Sequence, residues 1–216
     1  MDPYAAAFVR SRSAVNELIE SSSPEAFEQI SPLTPEWRVR DVVAHLCGVS
    51  EDVLAGNLPT GNVTAWADAQ VARHLDDSLE EIRATWLASG IENIMNELFA
   101  QMIFDQISHE FDIRYALGRP GDTSSDAVQM AARFAAGTLR ATRPVRVEFN
   151  GEVLEHEGHG DAISVRCTSF ELLRSLTGRR SWSQISTLDW SGDLQYVREL
   201  VHSSGIFRPT SFDVVE

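Results

Sequence analysis

Near Pro144 the hydrophobic pattern of the chain changes period, and that change constrains the fold more than any other feature. Before it, apolar residues recur at steps of three and four; after it, VRVEFNGEVLEHEG alternates residue by residue. The first period lines one face of a helix and the second lines one face of a strand. No single element satisfies both. The sequence therefore predicts an α+β chain: an all-helical domain over residues 1–143, then a smaller α+β domain over 144–216. With 216 residues, 43% of them hydrophobic, each part can bury a core.

In the first part, Asp2 before Pro3 reads as a helix start, followed by Phe8, Val15, Leu18 and Ile19 on one face. Ser21 to Pro24 ends or kinks that helix. After Thr34-Pro35-Glu36-Trp37, Val39, Val42, Val43, Leu46, Val49 and Val53 mark a second helix, with His45 on the edge of its apolar stripe. A weaker helical stretch covers 64–74. Ser78-Leu79-Glu80-Glu81 matches a capping box. Gly90 kinks or ends the helix that follows, and the next one starts between Ile91 and Leu98 and stops at Gly118. Asp122 to Ser125 cap one more. In the second part, Asn150-Gly151 signals a hairpin and AISVRCTS a third strand. FELLRSLTGRR reads as a short helix stopping at Gly178; SWSQISTLDW and DLQYVRELVHSSG read as helical too.

The net charge of −14 argues against a nucleic-acid or anionic-membrane partner, since a phosphate backbone needs a positive footprint. No run of about 18 apolar residues is present, and the first twenty residues lack the basic and apolar regions of a signal peptide. Cys47 and Cys167 form no CxxC motif and read as free thiols of a reducing compartment. The expectation is a soluble cytoplasmic protein acting on a small molecule.

Asp105, His109 and Asp112 in FDQISHEFDIRYALG step by four and three residues, which stacks them on one helical face. Leu98 and Met102 extend that stripe backwards and Ala116 extends it forwards, so the polar trio stands where core residues are expected. Asp105 and His109 can converge on one ion, and His45, on another helix, is the best third ligand. Facing helices build metal sites in this way. One carboxylate and two imidazoles suit zinc, and three protein ligands leave a position open for water or substrate. The plain alternative is a surface ion pair.

Three stretches in order, WRVRDVVAHL, DQISHEFDIRYALGRPG and FELLRSLTGRRSWSQISTLDWSGD, resemble the mycothiol-dependent maleylpyruvate isomerase family of DinB-like metal-binding four-helix bundles. The resemblance implies an N-terminal bundle with a small C-terminal α+β domain and a divalent metal, usually zinc, on His45, Asp105 and His109. It departs at two points. Aspartate stands at 105 where glutamate is usual, and Arg38 stands where Ser or Thr would cap the second helix.

The resemblance also implies a catalytic role for Asp112, which could orient His109, although an ion pair with Arg114 is an equal reading. It implies an arginine that holds a substrate carboxylate. Arg179 is the choice over Arg174 and Arg180, which read as a solvated helix end. The implied cofactors are the metal and mycothiol or a similar small thiol, used for isomerisation or S-transfer. The alternatives are a hydrolase using metal-activated water and a non-catalytic metal- or small-molecule-binding protein. Cys47 reads as a buried inert thiol, His156 and His159 as surface residues, Trp37 and Trp86 as core or domain anchors. His74 and His202 belong to no constellation.

Overall fold

The computed structural model describes residues 1–203 and 207–216, excepting the side chains of 202 and 203, so the His202 imidazole lies outside what is described. The chain is mostly helical to Gly137 and then forms a small mixed sheet with further helices. It divides into two compact units, Met1–Gly121 and Asp122–Glu216. The change of period near Pro144 marks where strands begin, whereas the units part where side-chain packing does. Helix α7 (Asp126–Gly137) packs through Ala127, Val128, Ala131 and Ala135 against α8 (Ser169–Leu176), and so belongs with the sheet.

In the first unit, α1 (Pro3–Ser21) starts at Asp2, whose side chain accepts from the Tyr4 amide at 2.8 Å. A single turn, α2 (Pro24–Glu28), leads to α3 (Val39–Ala55). Arg38 has no acceptor to offer as a cap. Instead Asp41 reaches back, accepting from the Arg38 amide at 2.9 Å, while the Gln29 carbonyl takes the Val39 amide at 3.0 Å. The missing cap residue is thus replaced from inside the helix and from the preceding chain. Helix α4 (Val63–Arg73) lies on α3, and α5 (Leu79–Ala88) opens on the capping box, with Ser78 N donating to Glu81 at 2.7 Å. Two 3-10 turns, Ile91–Asn93 and Glu97–Phe99, precede α6 (Ala100–Leu117). The helix therefore begins later than its pattern predicts. Asn96 accepts from the Leu98 amide and closes a local turn, which takes Leu98 off the stripe and leaves it 90% exposed.

Helices α1, α3, α5 and α6 share one core. Phe8 of α1 meets the fully buried Trp86 of α5 edge to face, with ring centroids 6.5 Å apart. The Trp86 indole N–H is satisfied by Ser50 of α3 at 3.0 Å. Such aromatic burial is worth roughly 2–3 kcal/mol per ring. Arg12 of α1 donates to the Trp86 carbonyl and pairs with Glu92 at 3.0 Å, placing a cation at the C-terminal end of α5. Gly118 ends α6 in the left-handed conformation at φ 62°.

In the second unit, β1 (Val145–Phe149) and β2 (Glu152–His156) form the expected hairpin, with positive φ at both Asn150 and Gly151 as a two-residue primed turn requires. Strand β3 (Ile163–Cys167) pairs parallel to β1. The stretch SWSQISTLDW is helical only in α9 (Trp182–Ser186); its end forms β4 (Asp189–Ser191), antiparallel to β3. The apolar residues of that short segment satisfy either period, and the free edge of β3 decides between them. The sheet order is β2-β1-β3-β4. Helix α10 (Leu194–Ser203) follows. No described helix is long and apolar enough to cross a membrane.

Candidate metal centre

Helix α6 presents Asp105 and His109 one turn apart, and α3 presents His45. Donor atoms of all three lie within 4.8 Å of one another. His45 Nε2 is 3.3 Å from Asp105 Oδ2, and His109 Nε2 is 3.7 Å from Asp105 Oδ1. Two ligands on a tetrahedral ion with bonds near 2.1 Å stand about 3.4 Å apart, so the spacing fits a small divalent cation. The chemistry of the set fits as well: two imidazoles and a carboxylate suit a borderline first-row ion better than calcium or magnesium.

The rings are held from outside. His109 Nδ1 lies 3.1 Å from Oδ2 of Asp112, a side chain with no exposed surface. The carboxylate accepts the Nδ1–H, which fixes the tautomer and turns Nε2 toward Asp105. Arg114, the other partner considered for Asp112, pairs instead with Glu110 at 2.8 Å, and Glu110 also accepts from Ser11 at 2.6 Å. Trp37, just before α3, lies against both imidazoles, with centroids 5.1 Å from His45 and 6.1 Å from His109. The two imidazoles meet edge to face at 5.0 Å. His45 and His109 are buried, while the Asp105 side chain keeps 28% of its surface exposed and opens the cluster to solvent. His45 Nδ1 is buried and has no hydrogen-bond partner among the described residues. Its other ring nitrogen, Nε2, faces the Asp105 carboxylate, where its lone pair can join the cluster.

Two arginines of the second unit depart from the sequence reading. Arg174 and Arg180 are not a solvated helix end. Both are buried, Arg174 paired with Glu216 at 2.7 Å, and Arg180 with Glu216 at 2.7 Å and Glu171 at 2.8 Å. Burial disfavours the Arg180 cation, but hydrogen bonds from Glu171 and Glu216 more than offset this and raise its pKa. Arg179 is buried too; it donates to the Thr177 carbonyl and stacks over Phe207 at 5.3 Å.

Two residues were passed over by the sequence reading. The sequence marks Trp37 only as a packing anchor, and no local pattern shows that it reaches the His45 and His109 rings. The sequence joins His74 to no constellation, yet it is buried between two carboxylates beside Cys47. Asp77, three residues on, is a sequence neighbour, but Glu51 and Cys47 come from α3, and nothing local marks their approach.

Residues 8–102 match the family model of the mycothiol maleylpyruvate isomerase N-terminal domain. The match takes in His45 and Trp37 and ends before Asp105. No curated protein and no solved structure matches the chain.

Proposed function

Residues 8–102 belong to the mycothiol maleylpyruvate isomerase N-terminal domain family, and from that premise we propose a zinc-dependent enzyme that uses a small thiol of the mycothiol kind. Its substrate is a small, electrophilic, carboxylate-bearing molecule, and its reaction is isomerisation or S-transfer. The observation that carries this reading is the convergence of His45, Asp105 and His109 from two helices. A cation held by these residues lowers the pKa of a coordinated thiol and so supplies a thiolate at neutral pH.

The protein's own contribution is positional. Asp112 keeps the His109 Nδ1 proton, so that Nε2 offers its lone pair to the cluster. Trp37 backs both rings and excludes water from that side. The exposed edge of Asp105 leaves a way in for thiol and substrate. Cys47 is two residues from His45 and leaves α3 in another direction, so the thiol is a diffusible one.

The test is metal content and turnover in protein purified without a histidine tag. Activity toward an unsaturated oxo acid of the maleylpyruvate type should require added low-molecular-weight thiol and vanish in His45→Ala and His109→Ala, each with the loss of one bound equivalent. Turnover that ignores thiol and consumes water identifies a hydrolase instead. A His45→Ala protein with unchanged metal content overturns the ligand set.

A further inference from the structure

Helix α3 carries a second ligand-bearing group on the side turned from His45. Cys47 follows His45 by two residues, so the two side chains leave the helix roughly 200° apart. Cys47, Glu51 one turn later, and His74 at the end of α4 bring sulfur, oxygen and nitrogen donors within 4.8 Å of one another. Cys47 is fully buried, His74 nearly so, and Glu51 keeps 31% of its side chain exposed. Among the described residues no hydrogen bond to the Cys47 thiol is formed.

His74 is held much as His109 is. A carboxylate three residues on, Asp77, stands 2.8 Å from its Nδ1, and Glu51 stands 3.1 Å from its Nε2. A neutral imidazole has one N–H and cannot donate to both. With Asp77 keeping the Nδ1 proton, Nε2 faces Glu51 across a gap that a proton or a metal cation fills. The charge balance leaves room for the second. Glu51, Asp52 and Asp77 gather here, and Arg73 answers two of them, Glu51 at 2.8 Å and Asp52 at 2.6 Å. Among the described residues the Arg40 guanidinium donates to the backbone carbonyl of Asp77 and pairs with Glu28, not with the Asp77 carboxylate.

We infer that Cys47, Glu51 and His74 form a second metal site in the helical unit, for a zinc-like divalent cation, separate from the one at His45, Asp105 and His109. A thiolate with an imidazole selects a borderline-soft ion over magnesium or calcium. Binding breaks the Cys47 S–H bond and forms a sulfur–metal bond; the released proton leaves to solvent, with that of His74 Nε2 where it carries one. Glu51 supplies the open side through which the ion enters.

The experiment adds cobalt(II) to the metal-free chain with no thiol present. A thiolate-to-cobalt charge-transfer band should appear in the near ultraviolet, saturating within two equivalents in the wild type and at one equivalent in His45→Ala. It should persist in His45→Ala and in Cys167→Ser and be lost in Cys47→Ser. Glu51→Gln, at a part-exposed position that leaves the core intact, should weaken this cobalt by more than about tenfold, so the result does not depend on Cys47→Ser folding. Absence of the band in the wild type, its loss in Cys167→Ser, or its indifference to Glu51→Gln overturns the site. Its loss in His45→Ala would merge it with the first cluster and overturn it as a separate one. The thiol-dependent activity is read independently, so failure of either reading leaves the other standing.

Discussion

Gly48→Ala sets helix propensity directly against packing. Gly48 lies in the interior of α3, where alanine is favoured over glycine by about 1 kcal/mol. Local reasoning therefore predicts a more stable protein. The structure predicts the reverse. A Cβ at position 48 would meet Gln70 Cβ at 2.5 Å, its Cγ at 2.9 Å and its Cα at 3.2 Å. Carbon atoms pack at about 3.5–4.0 Å, so α4 would have to retreat by roughly 1 Å. Gln70 cannot rotate clear, because the nearest atom is its own Cβ, which no side-chain rotation moves. It is fully buried, and its amide donates to Asp52 at 2.8 Å. Overpacking of this kind costs about 1–3 kcal/mol. Set against the propensity gain, the net change is a loss of up to about 2 kcal/mol, read as a lower urea midpoint at unchanged slope. Gln70→Gly removes the clashing atom, so Gly48→Ala should be better tolerated in that background, with a coupling of about 1 kcal/mol or more. A Gly48→Ala protein about 1 kcal/mol more stable than wild type, with no coupling to position 70, would refute the close approach of α4 to α3 on which the position of His74 depends.

Ser50→Ala leaves the buried Trp86 N–H without its acceptor and should cost about 1–3 kcal/mol in the same titration. The Ser78 side chain, then its backbone amide, hold the Glu81 carboxyl below its ordinary value. Its contribution is present above the carboxylate range and is lost as pH falls through the folded value, so the destabilisation by Glu81→Ala should shrink in acid; a difference that grows would be the wrong sign. Arg174→Ala strips Glu216 of one of two buried partners and should cost about 3 kcal/mol, measured by thermal or urea unfolding. Burial, with Glu171 adding to it, pushes the Cys167 thiol up to about 12, so alkylation at pH 8 should be slow in the native protein and rapid once it is unfolded, as mass spectrometry would read.

The helical faces, the hairpin and the third strand were legible because each follows from neighbours in sequence. Period, caps and the Asn150-Gly151 turn act over a few residues. Local patterns fail where a distant partner decides. SWSQISTLDW ends as a strand because β3 has an edge to fill, and α7 joins the sheet unit because its alanine face packs on α8. Arg174 and Arg180 look like a solvated helix end until Glu216 is folded onto them.

The same division runs through the site. That Asp105, His109 and Asp112 share one face follows from their order in the chain, since helix geometry stacks spacings of three and four. That His45 meets them, that Trp37 backs both imidazoles, and that Cys47, Glu51 and His74 gather on the opposite side of α3 depends on the packed fold. Those distances join residues far apart in the chain, and they are set by how helices pack, which no local pattern encodes.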